Sequence, residues 1–188
     1  MSKKYLSKFA VIAAVAAASQ GAFAAANDTG TVNFEGEIVN SICSIAPESQ
    51  NMKVFLGKIA AKTFKAAGDE SLPADFTIKL LDCPAPDATT GKASVATVTF
   101  LGQKDRTDAT LLLIDNAGQV GGVDAAKGVG IEISDSANTR IDMGAASGGY
   151  NLGEGTNSLR FKANYKSTVA AVTAGPANAS TTFQVDYK

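Results

Sequence analysis

Cys43 and Cys83 are the two cysteines of this chain, and what they can do depends on the partners the sequence offers them. It offers no histidine at all. A Cys/His zinc site, a Ser-His-Asp triad and a Cys-His dyad each require an imidazole, so composition alone excludes all three. A metal held by two thiolates, or a catalytic thiol, would need further partners that the sequence lacks. A single disulfide is the natural reading for two cysteines in a chain bound for an oxidising compartment. Closing a loop of about 40 residues in this way stabilises a fold by roughly 4 kcal/mol in the chain-entropy model.

The carboxylates are no better placed for catalysis. Asp105, Asp108 and Asp135 fall at turn positions, where aspartate satisfies its own backbone, and their spacing offers too few oxygens for calcium. Gly118, Gly121 and Gly122 form a cluster that lacks the Gly-Lys-Ser/Thr ending and the strand-to-helix context of a phosphate loop, so it reads as a turn. Tyr150 and Tyr165 sit in strand-like runs and read as core-edge packing. No catalytic residue, metal site or cofactor is expected, and the chain does not read as an enzyme.

Export is written at the N-terminus. Lys3, Lys4 and Lys8 accompany an apolar run over residues 9–18, and Ala22-Phe23-Ala24 supplies a small-x-small cleavage site. The run has about half the roughly twenty residues of a membrane span. Residues 1–24 therefore read as a signal peptide, and removing them from the 188 leaves 164 residues, enough for one sandwich or barrel domain. Losing the three lysines leaves 14 basic against 18 acidic side chains, a net charge of −4, so no nucleic-acid surface is expected.

The elements that would carry these residues are strands. Residues 30–42 alternate, with Gly30, Val32, Phe34, Gly36 and Ile38 on one face and Thr31, Asn33, Glu35 and Glu37 on the other. Such a strand, with two glycines on its apolar face, suits a groove where backbones approach closely. Further short strands are expected over residues 52–56, 76–83, 94–101, 110–114, 128–134, 140–143, 150–152, 157–166 and 180–188, with Gly57 and Gly102 as stops and one helical turn or a loop over 59–67. Their spacing of about ten residues, with glycine and asparagine turns and almost no helical periodicity, predicts an antiparallel β-sandwich. Both terminal strands alternate, and the plain reading makes them the first and last strands of a closed sandwich.

The chain resembles the major structural subunits of chaperone–usher pili of the type 1 fimbrial class. The resemblance rests on Gly-Thr-Val-Asn-Phe-Glu-Gly-Glu-Ile-Val-Asn-Ser-Ile-Cys at 30–43, Val-Phe-Leu-Gly at 54–57, the run over 76–83 ending Leu-Asp-Cys, and Thr-Val-Thr-Phe-Leu-Gly at 97–102. It also rests on Gly175, fourteenth from the C-terminus, and on the penultimate Tyr187. The resemblance implies an incomplete immunoglobulin-like β-sandwich lacking its last strand, with an N-terminal donor-strand extension and first strand over 25–42 and a pilin domain over 43–188. It implies donor residues Gly30, Val32 and Phe34, flanked by Asp28 and Gly36, and a groove and chaperone contact at Gly175, Thr181, Phe183, Val185 and Tyr187. The partners it implies are neighbouring copies in a homopolymer, a periplasmic chaperone and an outer-membrane usher. Its product would be an extracellular, cell-surface fimbrium. A minor adaptor pilin is one alternative, and a self-contained secreted sandwich that binds a glycan or protein through its loops is another.

Overall fold

The structure, a computed structural model, describes residues 31–34, 42–91, 94–115 and 124–188. They belong to two units, Met1–Ile38 and Val39–Lys188. Of the first unit only 31–34 are described, and they form no strand. The signal peptide, the remainder of the predicted 30–42 strand before Ile42, and the glycine cluster at 118–122 lie outside the described residues.

The second unit is a sandwich of two antiparallel sheets. Its elements are β1 (Ser44–Ile45), α1 (Pro47–Gln50), a 3-10 turn (Ala61–Thr63), β2 (Ala74–Cys83), β3 (Val95–Leu101), β4 (Val129–Asp135), β5 (Arg140–Ile141), β6 (Tyr150–Asn151), β7 (Gly155–Ser167) and β8 (Thr182–Tyr187). One sheet has the order β1-β2-β7-β4-β5 and the other β6-β3-β8. The period of two explains both. On β3, Ala96, Val98 and Phe100 are buried while Val95, Thr99 and Leu101 are not. On β7, Leu159, Phe161 and Ala163 turn inward, and Arg160 and Lys162 turn outward.

The core between the sheets is joined by aromatic rings. Phe161 is 1% exposed and lies 5.5 Å from Phe76, 5.3 Å from Phe100 and 5.6 Å from Tyr150, centroid to centroid. Tyr150 and Tyr165 pack at the core edge, as their strand positions predict. Burial, and then the Asp135 carboxylate, push the Tyr150 hydroxyl up to about 12. The turn aspartates serve their own backbones: Asp105 accepts from the amides of Thr107 and Asp108, and Asp135 from those of Ala137 and Thr139. Among the described residues no cluster of acidic or cysteine side chains could hold a metal. No helix there is long and apolar enough to cross a membrane.

Two predicted strands are corrected. Residues 110–114 form no ladder; Leu112 makes single bridges to Lys104 and Ile131, because this segment crosses from one partner to another and is buried by packing instead. Residues 52–56 form no strand either. They run extended without a paired neighbour, and that leads to the site.

Candidate functional site

The segment 52–59 is fastened at both ends, and between them Met52, Leu56 and Ile59 hold it by packing on the core and not by backbone pairing. Upstream, the disulfide Cys43–Cys83 ties the start of β1 to the end of β2, and the Ser49 hydroxyl accepts from the Lys79 amide at 3.0 Å. Downstream, Asp69 accepts from the amides of Lys65 at 2.6 Å and Ala66 at 2.9 Å, which holds its carboxyl below the usual range. The Ser167 hydroxyl then donates to the Ala66 carbonyl at 2.6 Å, fastening the loop to β7. Between these anchors, residues 52–59 make no backbone hydrogen bond among the described residues. Gly57, at φ +79°, takes the left-handed turn that divides the segment.

Opposite this segment runs the C-terminal stretch, and an apolar groove lies between the two. Its main section, about 570 Å³, has Met52, Val54 and Leu56 on one wall and 179–183 on the other. The floor is the core itself, with Phe76, Phe100, Leu112, Ile131 and Ile133 reaching the opening. A second section of about 420 Å³ continues between Gly57, Ile59 and Phe64 on one side and 172–178 on the other. Since 52–56 face 179–183 and 57–64 face 172–178, the two walls run antiparallel.

β8 shows what the groove leaves incomplete. It hydrogen-bonds to β3 on one side, and among the described residues no strand pairs with its other edge. In the ladder Phe183 faces Phe100, Val185 faces Val98 and Tyr187 faces Ala96. The three β3 residues are 2%, 0% and 0% exposed, whereas Phe183, Val185 and Tyr187 are all only half-buried. Same-facing neighbours in one pair of strands differ in burial when one of them lacks a cover.

Of the residues implicated by sequence, Thr181 and Phe183 line the main section and Gly175 the second. Val185 and Tyr187 extend the same face of β8 beyond it, where the Tyr187 hydroxyl donates to the Cys43 carbonyl at 3.4 Å. Val32 and Phe34 are 72% and 92% exposed. Asp28, Gly30 and Gly36 lie outside the described residues. Sequence reasoning missed the opposite wall, Met52, Leu56 and Ile59, because their alternation reads as an ordinary strand. It also missed the floor, whose residues come from segments scattered between 76 and 133.

Gly175 has a steric role. A methyl group on its Cα would meet the Asp124 carbonyl oxygen at 2.6 Å and the Ala126 amide nitrogen at 2.7 Å, both backbone atoms that cannot rotate away. Tyr165 supports the same stretch from below, its hydroxyl donating to the Ala177 carbonyl at 2.8 Å, and burial raises its pKa above the ordinary tyrosine value. Gly175→Ala is therefore expected to cost about 1–3 kcal/mol by overpacking, read as a lowered thermal midpoint. An unchanged midpoint would show that 124–126 yields freely.

Comparison with known proteins agrees with this architecture. The family model described as "Fimbrial protein" matches residues 32–188. The chain is 40% identical over 177 residues to the probable major fimbrial subunit LpfA of Escherichia coli O157:H7, covering 94% of each chain. It is 40% identical over 161 residues to the type 1 fimbrial subunit of Salmonella typhimurium, covering 85% of this chain and 83% of that one. Among solved structures, the P pilus rod subunit PapA superposes with a TM-score of 0.63 at 22% identity, over 79% of this chain and all of that one, a likeness of fold. The Burkholderia pseudomallei type I fimbria protein superposes with a TM-score of 0.56 at 31% identity, over 84% of this chain and 97% of that one. With an open-edged, immunoglobulin-like sandwich and relatives that match along most of its length, this chain belongs to the fimbrial protein family.

Proposed function

We propose that the chain is a structural subunit of an adhesive, cell-surface fimbria and polymerises by donor-strand complementation. The observation that carries this reading is the half-buried inner face of β8 beside the groove, set against its fully buried partners on β3. A strand laid between 52–59 and β8 would pair with their free backbone edges and cover Phe183 and Val185. This is β-strand addition, in which main-chain bonds give affinity and side-chain sockets give specificity. The strand would come from another copy: Gly30, Val32 and Phe34, flanked by Asp28 and Gly36, with the apolar side chains seated in the groove. Each copy then offers an extension to one neighbour and a groove to another, a heterologous contact that does not close and so builds a filament.

An uncovered groove is also an aggregation hazard. Before assembly a periplasmic chaperone would lend a strand to the edge formed by Gly175, Thr181, Phe183, Val185 and Tyr187, and an outer-membrane usher would exchange it for the next subunit's extension. The work of the chain in this reading is mechanical and adhesive, with no catalytic step.

Two forms of the mature chain test the proposal, residues 25–188 and residues 36–188. The longer form should yield ordered polymers; the shorter should yield none, and a synthetic peptide of residues 27–38 should raise its thermal midpoint. Cooperative monomers in both forms, indifferent to the peptide, would overturn the reading in favour of a self-contained sandwich.

A further inference from the structure

The two surfaces that the proposed exchange brings together are oppositely charged. Residues 52–65, which supply one wall of the groove and continue just past it, hold four lysines, Lys53, Lys58, Lys62 and Lys65, and no acidic side chain. All four are exposed. None forms a salt bridge among the described residues, although Lys79, Lys127, Arg140 and Lys166 do. The concentration is unusual in a mature chain whose net charge is −4. The opposite wall, residues 172–187, carries no cation and a single acid, Asp186. The N-terminal extension, residues 25–42, shows the complementary pattern, with Asp28, Glu35 and Glu37 and no basic side chain.

The alternation of Met52, Val54 and Leu56, set against that of the extension's sequence, puts Lys53 on the side where Glu35 and Glu37 of a seated strand would lie. Met52, Val54 and Leu56 point into the groove, so Lys53 points away from it, and Lys58 stands on the rim of the second section. In an extended strand Val32 and Phe34 would share one face of the extension, and Glu35 and Glu37 the other. A strand seated with its apolar face inward would carry Glu35 and Glu37 outward, beside the lysine wall, where opposite charges on neighbouring strands attract.

Resting on the assembly reading above, we propose that the 52–65 lysine wall is an electrostatic receptor for the acidic N-terminal extension of a second copy. It draws that extension toward its own side of the groove and favours donors whose outward face is acidic. Charge of this kind acts mainly on the rate of encounter and on partner choice, through a field that salt screens beyond about 8–10 Å.

The test uses residues 36–188, whose groove no neighbouring extension can fill, and a fluorescent peptide of residues 25–42, followed by stopped flow at low and high salt. Steering predicts that association slows roughly tenfold or more as ionic strength rises. The triple variant Lys53→Gln/Lys58→Gln/Lys62→Gln should bind slowly at low salt and lose most of the salt dependence. A peptide with Glu35→Gln and Glu37→Gln should reproduce that loss on the unaltered chain, which separates a charge effect from damage to the fold. Equal rates for all three combinations, with binding retained, would overturn the electrostatic proposal and leave the groove reading in place. Failure of any peptide to bind would overturn both.

Discussion

Replacing Cys43 and Cys83 together with serine is expected to lower the stability of the sandwich by about 4 kcal/mol, the figure for a cross-link spanning 40 positions. The figure is large against a total of roughly 5–15 kcal/mol for an ordinary domain. It is also local in its consequences. β1 contains only Ser44 and Ile45, paired with Leu81 and Leu80, and two residue pairs cannot hold an edge unaided. The disulfide lies next to this ladder and clamps it. Once it is cut, α1 and the 52–59 wall lose their upstream anchor, and the Tyr187 hydroxyl loses a fixed carbonyl at Cys43. Urea unfolding of the double variant and of the reduced native chain should give the same displaced midpoint. Curves that coincide with the oxidised native chain would show that strand pairing alone positions the wall.

Phe161→Ala is expected to cost about 3–5 kcal/mol, the range for an aromatic ring removed from a packed core. Phe161 sits on β7 opposite Phe76 of β2 in one sheet, and its ring meets Phe100 of β3 in the other edge-on at 89°. Truncation thus removes two ring contacts between the sheets, to Phe100 and to Tyr150, and the hole opens near the groove floor formed by Phe76 and Phe100. Phe161→Leu should keep most of the volume and cost less than about 1.5 kcal/mol. A loss under about 1 kcal/mol for the alanine variant, measured by denaturant titration, would mean that the sheets are held together elsewhere.

How far these features could be read beforehand depends on where their partners lie. β3, β4 and β7 were recognisable because each alternates larger apolar residues with small or polar ones, a property internal to the segment, although β4 proves to be buried on both faces. Residues 52–56 carry the same alternation, yet no ladder forms, since pairing requires a neighbour that the folded unit does not place beside them. Residues 110–114 misled in the opposite way: Leu111, Leu112 and Ile114 are buried, but a continuous apolar run cannot distinguish a strand from a crossing link. Phe183, Val185 and Tyr187 were recognisable as one face of β8. That this face is only half covered emerges from comparison with Phe100, Val98 and Ala96, more than 80 positions earlier.

That separation has a kinetic meaning. The β3–β8 ladder joins Ala96 to Tyr187 and Leu101 to Thr182, and β2 must find β7 across a similar distance, with Ala74 opposite Ala163. Of the ladders, only β4–β5 is closed by a tight turn. A chain built from such remote pairings folds slowly, because loop-closure entropy is spent long before contacts repay it. If the chain is exported N-terminus first, β8 would emerge after the strands it packs with, so on the reading proposed above the receiving edge would form only after β3 is in place. Acceptor competence would in this sense be a completion signal: on that reading a subunit could take a neighbour's strand only once β8 had joined β3.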